Sequence, residues 1–157
     1  MDELTEAQKD VYHKTLLMNG AMVVAPIVLG TIVVVYHLLD DGEGIAPEIP
    51  PIVNHLVAAG SVVYLAMSPW IAALMVPQLP RPQDEKSPPE TRWQGRRLIL
   101  FALIEGVCFL NYVLCLATGN WWSFGVAAAG VLMMIAMLPR KSHLQQWLRD
   151  TREAEAF

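Results

Sequence analysis

The residue with the most chemistry to explain is Glu105, the sole charged side chain between Leu98 and Pro139. It sits about seven residues into that apolar run, roughly 10 Å along a helix that rises 1.5 Å per residue. A charged carboxylate at such a depth in hydrocarbon costs on the order of 2.5 kcal/mol or more, so acids placed there face a bundle interior and often carry function. Two roles are open to a protonated Glu105. It can donate a hydrogen bond to a neighbouring helix, a contact worth about 0.6 to 2 kcal/mol, or it can hold a proton or cation. Depth ranks its partners. Asn19 lies about four residues into the first apolar run, and Ser68 about eight residues from the end of the second, counted from the same side. Pro26 and Pro69 each remove a helix hydrogen bond and free the carbonyl four residues earlier, at Met22 and Leu65. Those carbonyls are further acceptors. Glu105, Asn19 and Ser68 therefore form the candidate ion- or proton-binding set.

Other reactive side chains assemble into less. Cys108 and Cys115 share a helix stripe but stand two turns apart, about 10 Å, too far for a disulfide along one helix. They lack a CxxC pattern and a nearby histidine, so they read as buried, unreactive thiols. His13 and His143 belong to one surface, His37 and His55 to the other. With Asp40 or Asp41, the second pair would make a metal or pH-sensitive site; interfacial anchoring is the plainer role. The acidic stretch 40–51 lacks the calcium-loop pattern. Tyr112, Trp70 and Glu105 are the residues around which a quinone-type cofactor would be held. No catalytic set emerges, and the sequence calls for no cofactor and no metal.

The elements that position these groups are read from the gaps between charges. Of 157 residues, 54% are hydrophobic and only 17% charged, and mean hydropathy is +0.37. A soluble domain carries about a quarter charged residues. Uncharged runs of 18 or more residues are long enough to cross roughly 30 Å of hydrocarbon as helix. This excludes a soluble enzyme domain, a disulfide-stapled secreted domain and a nucleic-acid binder. Four spans are expected, at 15–39, 52–76, 98–117 and 121–138, the last two joined by the tight outer turn Thr118-Gly119-Asn120. The runs show no alternation of period 2, so helices are favoured over strands. The expected fold is all-α, a four-helix transmembrane bundle made of two helical hairpins.

Orientation follows from the cations. Lys9 and Lys14 in the arm 1–14, Arg81, Lys86, Arg92, Arg96 and Arg97 in the loop 77–97, and Arg140, Lys141, Arg149 and Arg152 in the tail 139–157 account for all 11 Lys and Arg. The positive-inside rule then places both termini in the cytoplasm. The acidic start of the chain and the long first run argue against a cleaved signal peptide and for a signal anchor. Trp93, Trp121 and Trp122 fall where interfacial aromatic belts belong.

Little mass lies outside the spans. The outer loop 40–51 is acidic and rich in Pro and Gly. The inner loop 77–97 holds five prolines among its charges and is expected to be irregular, with Arg92, Arg96 and Arg97 positioned to fix topology or to meet anionic headgroups. In the tail, Leu144, Trp147 and Leu148 fall at helical spacing. That predicts a short amphipathic helix on the inner leaflet, or a partner contact. Leu4, Ala7 and Val11 repeat the pattern in the arm, where Thr5 and Gln8 form a capping box. Small residues such as Ala21, Ala25, Ala59, Gly60, Gly125 and Gly130 permit close helix approach and self-association.

The segment Leu98-Ile99-Leu100-Phe101-Ala102-Leu103-Ile104-Glu105-Gly106, followed by Phe109, Leu110 and the Thr118-Gly119-Asn120 turn, resembles a pattern in small uncharacterised bacterial four-span membrane proteins. The resemblance covers the last third of the chain and ends at a basic stop after the final apolar helix. It implies a bacterial inner (plasma) membrane location and no particular activity. The Ala102-Leu103-Ile104-Glu105 segment also resembles, faintly, the carboxylate helix of ATP-synthase proteolipid rotor subunits. That likeness implies proton binding at Glu105, although here the acid lies in the third span rather than in the second helix of each hairpin. The expectation is a multi-pass, non-catalytic membrane subunit or accessory protein. Its partners are the lipid bilayer and other membrane subunits or further copies of itself, not nucleic acid; the alternative is a proton- or cation-binding protein using Glu105.

Overall fold

The computed structural model describes residues 4–39, 44–46, 48–75 and 88–155, with side chains through 151. The acidic residues Asp40, Asp41 and Glu43, the loop 76–87 with most of its prolines, and the side chain of Arg152 lie outside the described residues. Among the described residues there are five helices: α1 (Glu6–Leu39), α2 (Pro51–Met75), α3 (Pro89–Thr118), α4 (Trp121–Ala136) and α5 (Lys141–Glu155). No strand occurs among the described residues. The chain is all-α, and α1, α2 and α3 are each long and apolar enough to cross a membrane. α4 is shorter, at 16 residues, and reaches about 24 Å at 1.5 Å per residue. α5 bends away from it by 71°.

Local sequence sets the helix ends. Thr5 and Gln8 form the capping box at the start of α1, each side chain accepting from the other's backbone N–H at 3.3 and 3.1 Å. The charged arm therefore continues as helix into the apolar run. Likewise α3 starts at Pro89, a favoured first helical residue because its missing N–H is not needed there. Gly119 ends α3 in the left-handed conformation at φ 68°. Asn120 then caps α4 by accepting from the N–H of Trp122 at 2.9 Å. At the same end, Gly44 holds φ 77°, and the N–H groups of Ile45 and Ala46 reach the carbonyls of Leu116 and Ala117 at 3.1 and 2.6 Å. The segment after Gly44 thus satisfies carbonyls that a helix terminus leaves without partners.

Packing departs from two hairpins. α3 and α4 pack closely, and α1 and α2 each lie against α3 and, less extensively, α4. α1 and α2 scarcely touch each other. The cross-section is a diamond with α3 and α4 on its short diagonal. The cause is loop length. Two residues between α3 and α4 force adjacency, whereas the connection 40–50 lets α1 and α2 sit on opposite corners. Two close approaches fix the diamond. A Cβ built on Gly30 of α1 would lie 2.7 Å from the Tyr112 ring and hydroxyl, and one on Gly130 of α4 would lie 2.6 Å from Cys108 Sγ.

Around an apolar core centred on α3 and α4, the buried stripes of α1 and α2 are rich in polar and small residues, a reversal of the polarity of a water-soluble bundle. The buried stripe of α1 includes Thr15, Asn19, Pro26, Gly30 and His37, and that of α2 includes Asn54, Ser61, Ser68 and Ala72. The outward faces carry Leu17 at 78% exposure, Leu38, Val28, Ile32, Val63 and Trp70 at 61%. Small and polar groups between helices, with large aliphatic groups outside, are the arrangement an apolar surrounding medium favours.

The tail departs from expectation as well. Leu144 and Leu148 of α5 pack with Tyr12 of α1 and Trp93 of α3 in a second apolar cluster, bordered by Leu4 and Trp147. The apolar face expected on the leaflet is buried inside the molecule. Trp93 is buried there too, rather than standing in an interfacial belt. Both the start of α1 and all of α5 therefore occupy one end of the bundle.

Candidate functional site

Asn19 and Ser68 are fully buried, and Glu105 is half-buried on α3. No hydrogen bond joins them. The Ser68 hydroxyl donates to the Leu65 carbonyl at 2.8 Å, which is the acceptor Pro69 deprives of its helix donor. Ser68 thus repairs the proline defect within its own helix. Both amide atoms of Asn19 lack a hydrogen-bond partner in the described structure. Glu105 likewise makes no ion pair with any described residue.

A polar contact that does cross between the apolar helices involves a residue the sequence left unremarked. Asn111 Nδ2 donates to Ser61 Oγ at 2.8 Å and to the Val107 carbonyl at 3.0 Å, tying α3 to α2 one helical stripe away from Glu105. Spacing could have indicated it, since Asn111 lies on the same stripe as Ile104 and Cys108. The thiols are free and buried, with Cys108 Sγ donating to the Ala127 carbonyl at 3.4 Å. His37 and His55 each turn to a carbonyl of their own helix. Their Nδ1 atoms approach the carbonyls of Val33 and Pro51 at 3.1 and 2.7 Å, and the His37 ring stacks edgewise on Trp121 at 5.4 Å. No group of three or more potential metal ligands occurs among the described residues. Trp70 faces outward, whereas Tyr112 packs against Gly30 and Phe124.

A built site lies instead at the end holding α5. Because α3 begins at Pro89, its first turns project past the apolar run and carry Trp93, Arg96 and Arg97. α5 folds across them. A cleft of about 330 Å³ opens between the two, walled by Trp93, Leu100, Met137 and Pro69 on the bundle side. His143, Gln146, Trp147 and Asp150 of α5, with Arg96 and Arg97, complete it.

Hydrogen bonds hold these walls in place. Arg97 Nη1 donates to the Met137 carbonyl at 3.0 Å, placing a cation at the C-terminal end of α4, where the helix dipole is negative. Arg97 Nη2 lies 3.1 Å from His143 Nδ1. A guanidinium can only donate, so Nδ1 accepts and a neutral His143 carries its proton on Nε2. The Trp147 indole donates to the Pro89 carbonyl at 3.1 Å, and the Tyr12 hydroxyl to that of Pro139 at 3.2 Å. Arg96 sits 5.7 Å over the Trp147 ring, and Arg97 5.7 Å over that of Trp93, distances at which cation–π attraction acts.

No protein-family model, curated protein or solved structure matches this chain.

Proposed function

We propose that this chain is a non-catalytic integral membrane protein, a subunit or accessory factor that crosses the bilayer four times with both termini in the cytoplasm. On this reading its location is a bacterial inner membrane, and its partners are lipid and other membrane chains or further copies of itself. The observation that carries it is the reversed polarity: Asn19, Asn54, Ser61, Ser68 and Asn111 inside, with Leu, Val, Ile and Trp side chains outside. The antiparallel packing of α4 along α3 supports a fourth crossing, and the restriction of every Lys and Arg to the segments 1–14, 77–97 and 139–157 supports the orientation. Reporter fusions test the map. Gly44 is expected in one compartment and Lys86, with both termini, in the other; a shared compartment for Gly44 and Lys86 overturns it. Affinity purification from native membranes is expected to bring down a stoichiometric membrane partner or a second copy.

The unpaired carboxyl of Glu105 favours a second reading, in which the protein binds a proton or cation there. A hydrophobic carbodiimide, which reacts with protonated carboxyls in membranes, is expected on that reading to modify Glu105 and to spare the Glu105→Gln variant. Absence of an adduct at every pH removes it.

A further inference from the structure

Arg96 and Arg97 stand side by side at the cleft beneath α5, and neither has a carboxylate within ion-pair distance among the described residues. Arg97 is half-buried, and only two of its five N–H groups are engaged, with Met137 and His143. Adjacent, partly desolvated cations that no carboxylate reaches at ion-pair distance favour an anion between them. The cleft is built to receive one, because Met137, His143 and the two tryptophan rings hold both guanidiniums toward the same space.

We propose that this cleft binds the phosphate of an anionic phospholipid from the adjoining leaflet. Its volume of about 330 Å³ falls within the range of roughly 300–1,000 Å³ seen for ligand pockets. Its lining grades from apolar to polar. Pro69, Leu100 and Met137 face the apolar bundle, while Arg96, Gln146 and Asp150 lie on the outer side. A free phosphate would leave the apolar wall uncovered, whereas a lipid covers it with glycerol and the start of an acyl chain. Asp150 places one negative charge in the same cleft, so a headgroup with a single negative charge, such as phosphatidylglycerol, suits it better than a doubly charged one. The proposal rests on the membrane reading above, since the lipid must come from a leaflet at this end of the bundle.

The test uses the full chain reconstituted into nanodiscs of equimolar phosphatidylglycerol and phosphatidylcholine, released and weighed by native mass spectrometry. One phosphatidylglycerol per chain is expected to be retained in preference to phosphatidylcholine, and excess inorganic phosphate is expected not to displace it. Arg96→Gln is expected to cut this retention about tenfold, the loss of one charge-assisted hydrogen bond. Gln146→Glu, at an exposed position that leaves the packing untouched, is expected to reduce it by a similar factor through repulsion. Arg140→Gln, an exposed cation outside the cleft, is expected to leave it unchanged. Equal retention of both lipids, displacement by phosphate, undiminished retention in either cleft variant, or an equal loss in Arg140→Gln overturns the proposal. If the chain enters bilayers but shows no lipid preference, only the lipid site falls. If it fails to enter them, the membrane reading falls as well.

Discussion

Gly130→Ala tests the α3–α4 contact on which the bundle is centred. The new methyl would lie 2.6 Å from Cys108 Sγ, with Ile104 Cγ2 at 3.6 Å and Leu65 Cδ2 at 3.8 Å. Cys108 is fully buried and donates to Ala127 on the same facing helix, so its sulfur has little room to retreat. Overpacking of this kind costs about 1–3 kcal/mol. Replacing glycine by alanine in a helix also gains about 0.5–1 kcal/mol of backbone entropy. Gly125, on the same helix, has nothing within 4 Å of its would-be Cβ and receives the gain alone. Subtracting one variant from the other removes the backbone term. Gly130→Ala should therefore be less stable than Gly125→Ala by about 1–3 kcal/mol. Reversible unfolding in mixed detergent micelles, followed by circular dichroism, supplies both values. Cys108→Ala removes the obstructing sulfur, so Gly130→Ala is expected to cost less in that background, with a coupling of about 0.5–3 kcal/mol. Equal stabilities for the two glycine variants, or additive costs with Cys108→Ala, would refute the geometry.

Asn111→Ala and Ser61→Ala are each expected to destabilise by about 0.6–1.7 kcal/mol, with the double variant costing less than their sum, because each removes the same interhelical hydrogen bond; strict additivity in the same unfolding assay counts against that bond. Leu144→Ala should cost about 2–5 kcal/mol locally and expose α5 to protease while leaving the apolar helices protected, as limited proteolysis in detergent would show. Gly44→Ala forces a side chain to φ 77° with its Cβ 2.6 Å from the Gly119 nitrogen, so faster hydrogen exchange is expected at the Ile45 and Ala46 amides; unchanged exchange would contradict the docking of that segment.

The helices were legible because hydrocarbon excludes charge: the stretches between Lys14 and Asp40, between Glu48 and Arg81, and, Glu105 aside, between Arg97 and Arg140 hold the apolar part of α1, all of α2, the apolar part of α3 and all of α4. The capping signals at Thr5/Gln8 and Gly119/Asn120 were equally local, and they appear in the hydrogen bonds. Charge gaps do not mark where a helix ends outside lipid, so the start of α3 at Pro89 was missed, as was the unbroken run of the arm's expected helix into the first apolar run. The extension of α3 supplies one wall of the cleft. The partner of the Leu144/Leu148 face was hidden for a related reason, since Tyr12 and Trp93 come from distant segments and nothing in the spacing of α5 names them. Asn19 and Ser68 were chosen as partners of Glu105 by depth. Depth places a residue along a helix and leaves its azimuth open, which is why Ser68 turns to Leu65 and the interhelical bond falls to Asn111.

The separation of α1 from α2 bears on how the polypeptide is made. The first two helices emerge from the ribosome before α3, yet the surfaces that shelter Ser61 and Gly30 belong to α3. During synthesis the leading half must wait with its amide and hydroxyl groups facing acyl chains or a chaperone of the insertion machinery. A chain stopped near residue 88 would remain in that condition and present quality-control proteases with a polar stripe that the full-length product conceals.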